Sequence, residues 1–386
     1  MRTLNSIIKQ FGGVIQTGPF GSQLKQSEYS EQGIPVVMPK DICDGVIGLD
    51  RVARVSENKA DQLSRHFLKE GSIVFPRRGD IGKCALITDK EVGFLCGTGC
   101  IKIEFPKEQL DPQFFYYFLI QSHVTEWLER NAIGSTMLNL NTSIIGRIPI
   151  PILDISQQRF IAAILKRYDD LIENNRRRIQ LLEESTRLLF QEWFVYLRFP
   201  GHEHVKVVNG VPEGWRKSSL GELVEVKKGK NITKETVKVG NIPVVAGGLQ
   251  PAYFHNVANA KGPVITISAS GANAGYVNLY HEDVWASDCS YINKNVTDNI
   301  YYFYLQLKIR EKEIFGMQKG AAQPHVYPKD LARLLVYEPS QSLIIDFEEN
   351  VFSSFNLIKN LLNQNVKLVK ARDILLPRLM NGTIAV

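Results

Sequence analysis

No run of about eighteen consecutive apolar residues occurs in the 386-residue chain, so the sequence offers no membrane-spanning helix. The opening MRTLNSIIKQ lacks the apolar stretch of a secretory signal, and a cytoplasmic location is expected. Cysteine is scarce: Cys43, Cys84, Cys96, Cys100 and Cys289 form an odd set crowded toward the first third, poor material for a disulfide framework. Reduced thiols are expected. There is no Pro-Pro dipeptide, which removes the Asn/Asp-Pro-Pro-aromatic tetrapeptide of a DNA amino-methyltransferase. Gly97-Thr-Gly99 lacks the next glycine of a dinucleotide loop, and Gly82-Lys83 has Arg77 where a P-loop needs glycine and Cys84 after the lysine. His202-Glu-His204 and Cys96-x-x-x-Cys100 have no second ligand pair at a metal spacing, so no metal site is expected, and they read as a polar linker pair and free thiols. No Ser/His or Cys/His arrangement is pinned to a nucleophilic role, so no catalytic residue is expected.

What is present is ample material for cores, 44% hydrophobic against 22% charged, enough for two or three domains at this length. The formal charge of +6 favours a polyanionic partner, because Lys and Arg that neutralise phosphates release counterions.

The chain is written twice. Phe115-Tyr-Tyr-Phe-Leu119 matches Tyr301-Tyr-Phe-Tyr-Leu305 at an offset of 186, and Gly134-Ser-Thr-Met-Leu-Asn-Leu140 matches Gly320-Ala-Ala-Gln-Pro-His-Val326 at the same offset. Upstream, GIPVVMPKDI from Gly33 answers NIPVVAGGLQ from Asn241, and GSIVFPRRGDIGKCALI from Gly71 answers GPVITISASGANAGYVNLY from Gly262. Both read as β-branched strands broken by glycine-rich turns. Each half is therefore expected to be a mixed α/β (α+β) globule followed by a helix.

Each helix carries a heptad seam. The first runs through Ile161, Leu165, Tyr168, Ile172, Asn175, Ile179, Leu182, Thr186, Leu189 and Trp193. Adding the offset gives Phe347, Val351, Ser354, Ile358, Leu361, Asn365, Leu368, Arg372, Leu375 and Leu379, apolar at seven of ten places. One such stripe is an ordinary core helix. Two matched stripes predict two long antiparallel helices packed as a coiled coil, with a globule at each end in approximate two-fold symmetry and Asn175 and Asn365 setting register. About 36 residues would span roughly 54 Å.

These segments resemble the specificity subunits of type I restriction-modification systems. The carrying stretches are GSTMLNLNTSIIGRIPIPIL (Gly134 to Leu153), VPEGWRKSSLGEL (Val211 to Leu223) and ILLPRLMNG (Ile374 to Gly382), taken in that order and together with the repeat. The resemblance implies target recognition domains at residues 1–153 and 199–339, the latter with a leading linker 199–214, and long helices at 154–198 and 340–386. It implies a non-catalytic chain that reads a bipartite, asymmetric double-stranded DNA site. Two adenine-N6 methyltransferase (modification) subunits would bring S-adenosylmethionine, and restriction subunits ATP, Mg²⁺ and nuclease activity. Two departures are plain: no Pro-x-Gly-Trp opens the first repeat, and QPHVYPKDL from Gln323 stands where the first has MLNLNTSII from Met137. The two domains should therefore read different bases. The competing classes are an enzyme with its own methylation or nuclease activity, and a coiled-coil scaffold for proteins.

Base edges are read by Arg, Lys, Asn, Gln, Ser and Thr, and phosphates by cations, hydroxyls and free N–H groups. In the first domain the turn after a strand offers Arg77, Arg78 and Lys83; its counterpart offers Ser268, Ser270 and Asn273. A solvated turn is the alternative. The loops before the helices offer Ser135, Thr136, Asn139 and Asn141, and Lys319, Gln323, His325 and Tyr327, unless they only cap and close the domain. Lower-ranked are Gln23 and Lys25 in the N-terminal loop and Lys228 and Lys230 in the second repeat. Tyr116/Tyr117 and Tyr302/Phe303 sit in helix-like apolar runs and are expected in the core rather than as stacking platforms. Arg176-Arg-Arg178 is expected on a solvated flank, with subunit docking or phosphate contact as the alternative.

Overall fold

A computed structural model of the chain describes residues 2–43, 45–49, 52–134, 137–151, 153–320 and 323–384. It divides into two compact units, Met1–Glu173 with Asn365–Val386, and Asn174–Gln364. Both boundaries fall inside the long helices, so each unit is a mixed α/β globule completed by a piece of each helix.

The sheet topology repeats. In the first unit Val14–Thr17, Cys100–Glu104, Ile73–Pro76 and Ala85–Leu86 form an antiparallel sheet in that order; in the second, Lys227–Lys228, Cys289–Asn293, Val264–Ser268 and Val277–Tyr280 do the same. Ile73–Pro76 and Val264–Ser268 are buried throughout, which is why they read as near-continuous apolar, β-branched runs. A second sheet in each unit holds one parallel pairing, Leu95 beside Val36 and Trp285 beside Val244. A short ribbon closes each globule, Arg2–Thr3 with Pro149–Ile150 and Arg216–Ser219 with Leu335–Glu338.

The aromatic runs become core helices. Pro112–Leu119 starts where Asp111 accepts a hydrogen bond from the Phe114 amide at 2.8 Å, with proline in its first turn, and it buries Phe114, Phe115 and Tyr117. In Ile300–Lys308 the capping group comes from elsewhere: the Glu348 carboxyl oxygen Oε1 accepts from the Tyr302 amide at 2.7 Å.

The long helices run Ile155–Phe190, continued by a π-turn at Gln191–Val195, and Gln341–Met380. In the second unit Trp193 packs on Phe347 with ring centroids 5.6 Å apart, while the Asn175 amide donates to Gln364 Oε1 at 3.1 Å, so the segments run antiparallel. Ile179, Phe190, Phe347, Val351, Ile358 and Leu361 fill the shared core, with Leu182 and Leu189 at its edge. In the first unit Ile161 and Leu165 pack in one cluster with Leu376 and Leu379, Leu375 at its margin; Ile172 is buried, and Asn365 and Leu368 are half-buried. Arg176, Arg177 and Arg178 are exposed.

Among the seam positions that differ between the repeats, Thr186/Arg372 differs in charge. Arg372 Nη1 donates to Asp169 Oδ1 at 2.6 Å, and the Tyr117 hydroxyl donates to Asp169 Oδ2 at 2.6 Å. At the matching offset the second unit has Thr186, Phe355 and Phe303, all buried.

Candidate nucleic-acid interface

The two loops nominated separately in each repeat meet. In the first unit Arg78 forms an antiparallel bridge with Asn139, which bridges back to Ile133; in the second Ser270 bridges His325, which bridges back to Lys319. Three main-chain hydrogen bonds correspond, and the second unit adds one from the Gly271 amide to the Pro324 carbonyl at 3.1 Å. The Leu140 amide donates to the Arg77 carbonyl at 2.8 Å, and the Val326 amide to the Ala269 carbonyl at 3.0 Å. Asn139 and Ile133 exchange amide-to-carbonyl bonds of 2.9 and 3.0 Å, and His325 and Lys319 exchange two of 2.9 Å. Gly134 and Gly320 open the two loop tips at φ +114° and +98°, where a Cβ would meet a carbonyl oxygen at 2.4 and 2.8 Å. Only glycine fits both demands.

Side chains differ on this common frame. In the first unit Arg78 is exposed; Arg77 is half-buried, its Nε donating to the Leu140 carbonyl at 3.5 Å, with its guanidinium 5.9 Å from the centre of the exposed Phe20 ring. Phe20 brings in the N-terminal loop. Gln23 Oε1 accepts from the Phe20 amide at 3.2 Å and from Arg65 at 3.4 Å, and Lys25 is exposed beyond it. Lys83 is exposed and pairs with Asp80 at 3.1 Å. Asn141 takes the capping role: its Oδ1 accepts from the Ile144 amide at 2.8 Å and starts the helix Thr142–Gly146. Ser135 and Thr136 lie outside the described residues.

In the second unit the Ser270 hydroxyl donates to Asp288 Oδ2. His325 and Tyr327 stack with ring centroids 5.8 Å apart and planes 12° from parallel, and the Lys329 ammonium lies 5.7 Å from the Tyr327 ring centre. Lys319 donates to Asp330 Oδ1 at 2.6 Å, which holds that carboxyl below its usual range. Gln323 is exposed and Asn273 half-buried, its carbonyl accepting from the Tyr276 amide at 2.9 Å. Ser268 is buried, its hydroxyl donating to the Gly247 carbonyl at 3.1 Å, so it braces the strand end. Lys228 and Lys230 are exposed; the Lys230 main chain is pinned by its amide to Ala286 and by Trp285 Nε1 donating to its carbonyl at 2.8 Å.

Sequence reasoning missed Phe20, Arg65, Asp288 and Lys329. An exposed aromatic in a Gly-Pro-Phe-Gly turn was a readable signal for Phe20; nothing local marks Asp288. Among the described residues no group of three or more His, Cys, Asp or Glu is placed to hold a metal ion, and no helix is long and apolar enough to cross a membrane.

Comparison with known proteins bears on the chain as a whole. The family model described as "Type I restriction modification DNA specificity domain" matches twice, at residues 11–184 and 212–367. The chain is 26% identical to the type I restriction enzyme MjaIX specificity subunit of Methanocaldococcus jannaschii, over 98% of this chain and 93% of that one. It is 27% identical to a putative type I specificity subunit of Mycoplasma pneumoniae, over 64% and 66%. The crystal structure of the type I restriction-modification S subunit from M. genitalium shares the fold, with a TM-score of 0.60 at 20% identity, covering 98% of this chain and 95% of that one. With two family matches spanning most of its length, the chain belongs to the type I restriction-modification DNA specificity family, as a non-catalytic DNA-recognition subunit.

Proposed function

We propose that the chain reads a split, asymmetric duplex site, one half with residues 1–153 and the other with residues 199–339, while the helical segments 154–198 and 340–386 set the unread gap between them. The observation that carries this reading is the shared main-chain frame of Arg78–Asn139 and Ser270–His325 dressed with different side chains. Equal frames present reading groups at equal depth, and unequal side chains make the half-sites differ. The proposed contacts are Arg78, Arg77, Gln23, Lys25, Lys83, Asn139, Ser135 and Thr136 in the first domain, and Ser270, His325, Tyr327, Gln323, Asn273, Lys319, Lys228 and Lys230 in the second.

The reading also includes partners. Two modification subunits carrying S-adenosylmethionine and restriction subunits carrying ATP and Mg²⁺ would supply the chemistry, in the cytoplasm, and flipping of the target adenine falls to the modification subunit. Exposed apolar side chains along the long helices, Leu181, Phe352 and Val366 among them, support docking of other subunits there.

Sequencing of N6-methyladenine in DNA from cells with the neighbouring modification subunit, with and without this chain, tests the proposal. A bipartite motif present only with this chain is expected. Equal expression with no new motif would overturn the reading.

A further inference from the structure

Charge is inverted at one place on the common frame. In the first unit the Arg77 amide donates to the Gly99 carbonyl at 2.6 Å; in the second the Ala269 amide donates to the Asp288 carbonyl at 3.1 Å. Gly99 and Asp288 therefore occupy the same position in the two repeats, each beside the residue pair that carries the bridge. Around the first are Arg77 and Arg78; around the second are Ala269 and Ser270. A guanidinium is replaced by a hydroxyl, and a glycine by a carboxylate.

A carboxylate at a DNA-facing position is repelled by phosphates, so it is favourable only where it meets a hydrogen-bond donor. On the major-groove edge of a base pair the donors are exocyclic amino groups, and the Asp or Glu pairing that geometry favours is with cytosine N4. Asp288 is half-buried, and its side chain is held by the Ser270 hydroxyl rather than by a cation. The Ser270 hydroxyl occupies one acceptor site on Oδ2 and holds the rotamer, leaving Oδ1 to accept. In the first unit Arg77 is held against Phe20 and the Leu140 carbonyl, while Arg78 is exposed at the bridge. A free guanidinium fork there matches guanine O6 and N7.

On the reading that both repeats face duplex DNA, we infer that Asp288, oriented by Ser270, is a specificity-determining residue that accepts a hydrogen bond from cytosine N4 in the second half-site, as Arg78 donates to a guanine in the first. Asp288 positions no reacting atom; it selects sequence.

The test uses the full chain and the duplex motif found by methylation sequencing. Each cytosine of the second half-site is replaced in turn by 2-pyrimidinone, which lacks the amino group, and its partner guanine by 7-deazaguanine, which lacks N7. Wild-type affinity is expected to fall about 5- to 100-fold at one cytosine on loss of the amino group and to stay level with 7-deazaguanine opposite it. Asp288→Ala should lose most of this penalty, and the penalty that remains in the variant measures any weakening of the duplex itself. The same variant should keep the full penalty for changes in the first half-site, which reports a folded chain. Arg78→Ala should lose discrimination at a guanine of the first half-site only. Asp288→Ala with undiminished sensitivity to the amino group, or dependence of Asp288 on an A·T pair, overturns the assignment. Absence of any bipartite motif with the wild-type chain overturns the functional reading beneath it, and the two failures are told apart.

Discussion

Removing Arg372 should destabilise the first unit by an amount set by how far its ion pair is withdrawn from water. The guanidinium lies 2.6 Å from Asp169, with side chains 22% and 32% exposed. Breaking a fully buried pair costs about 3–5 kcal/mol and an exposed one about 0–1, so Arg372→Ala is expected to cost about 2 kcal/mol. Asp169→Ala also removes the acceptor of the buried Tyr117 hydroxyl, a charge-assisted bond, and is expected to cost about 3 kcal/mol. The double variant should cost about 1–2 kcal/mol less than the sum of the singles, because the second change removes a partner already lost. Burial, then the Asp169 carboxylate, hold the Tyr117 hydroxyl well above its usual value; burial works against the Arg372 charge, but the carboxylates of Asp169 and Asp373 outweigh it. Urea unfolding of the full chain, with hydrogen exchange over Pro112–Leu119 to resolve this unit, gives the energies. An Arg372→Ala variant within 0.5 kcal/mol of wild type, as roughly expected of a solvated pair, would refute the reasoning.

Three further outcomes are expected. Burial pushes the Glu348 carboxyl up to about 7 from its ordinary 4.5, so the folded chain holds a proton that the unfolded chain has released; this contribution is full below pH 4.5 and is lost as pH rises through 7. Glu348→Gln should flatten the fall of the urea midpoint over that window, and an unchanged slope would exclude Glu348 as its source. Gly18→Ala and Gly229→Ala place a Cβ 2.0 and 2.1 Å from the carbonyls of Gly97 and Ser287, and each should cost about 1–3 kcal/mol, with the methylated motif degraded in the first and second half-site respectively. Four residues inserted after Asn174 add about one helical turn, ~6 Å, and should lengthen the unread gap by ~1 to 2 bp with both half-sites intact, as methylation sequencing would report.

The mixed α/β class and the duplication were legible in the sequence because each leaves a periodic trace: a constant offset between aromatic runs, β-branched runs between glycines, a seven-residue seam; the family was legible through the resemblance of three stretches, Gly134 to Leu153, Val211 to Leu223 and Ile374 to Gly382. Polar residues on the seam were visible as interruptions, but that Arg372 answers Asp169 and Tyr117 was not, since the partners lie on three separate helices. The candidate interface was legible only in pieces. Polar loops could be nominated one by one, yet the bridge that joins Arg78 to Asn139 is a long-range main-chain contact with no local signature. Asn141 and Ser268 show the reverse limit. A polar side chain beside a helix start or a strand end looks the same in sequence whether it faces solvent or closes its own backbone.

The bridges between the paired loops are made by peptide groups, and a peptide group is the same whatever residue carries it. Replacement of Arg78, Ser270, Asn139 or His325 therefore leaves the hydrogen bonds that shape the loops in place, while glycine at 134 and 320 keeps the tips closed. On the proposed reading, substitution at these positions changes what the loops present without dismantling the frame that presents it. The same uncoupling is why the two repeats can hold one skeleton while carrying different side chains at the matched positions.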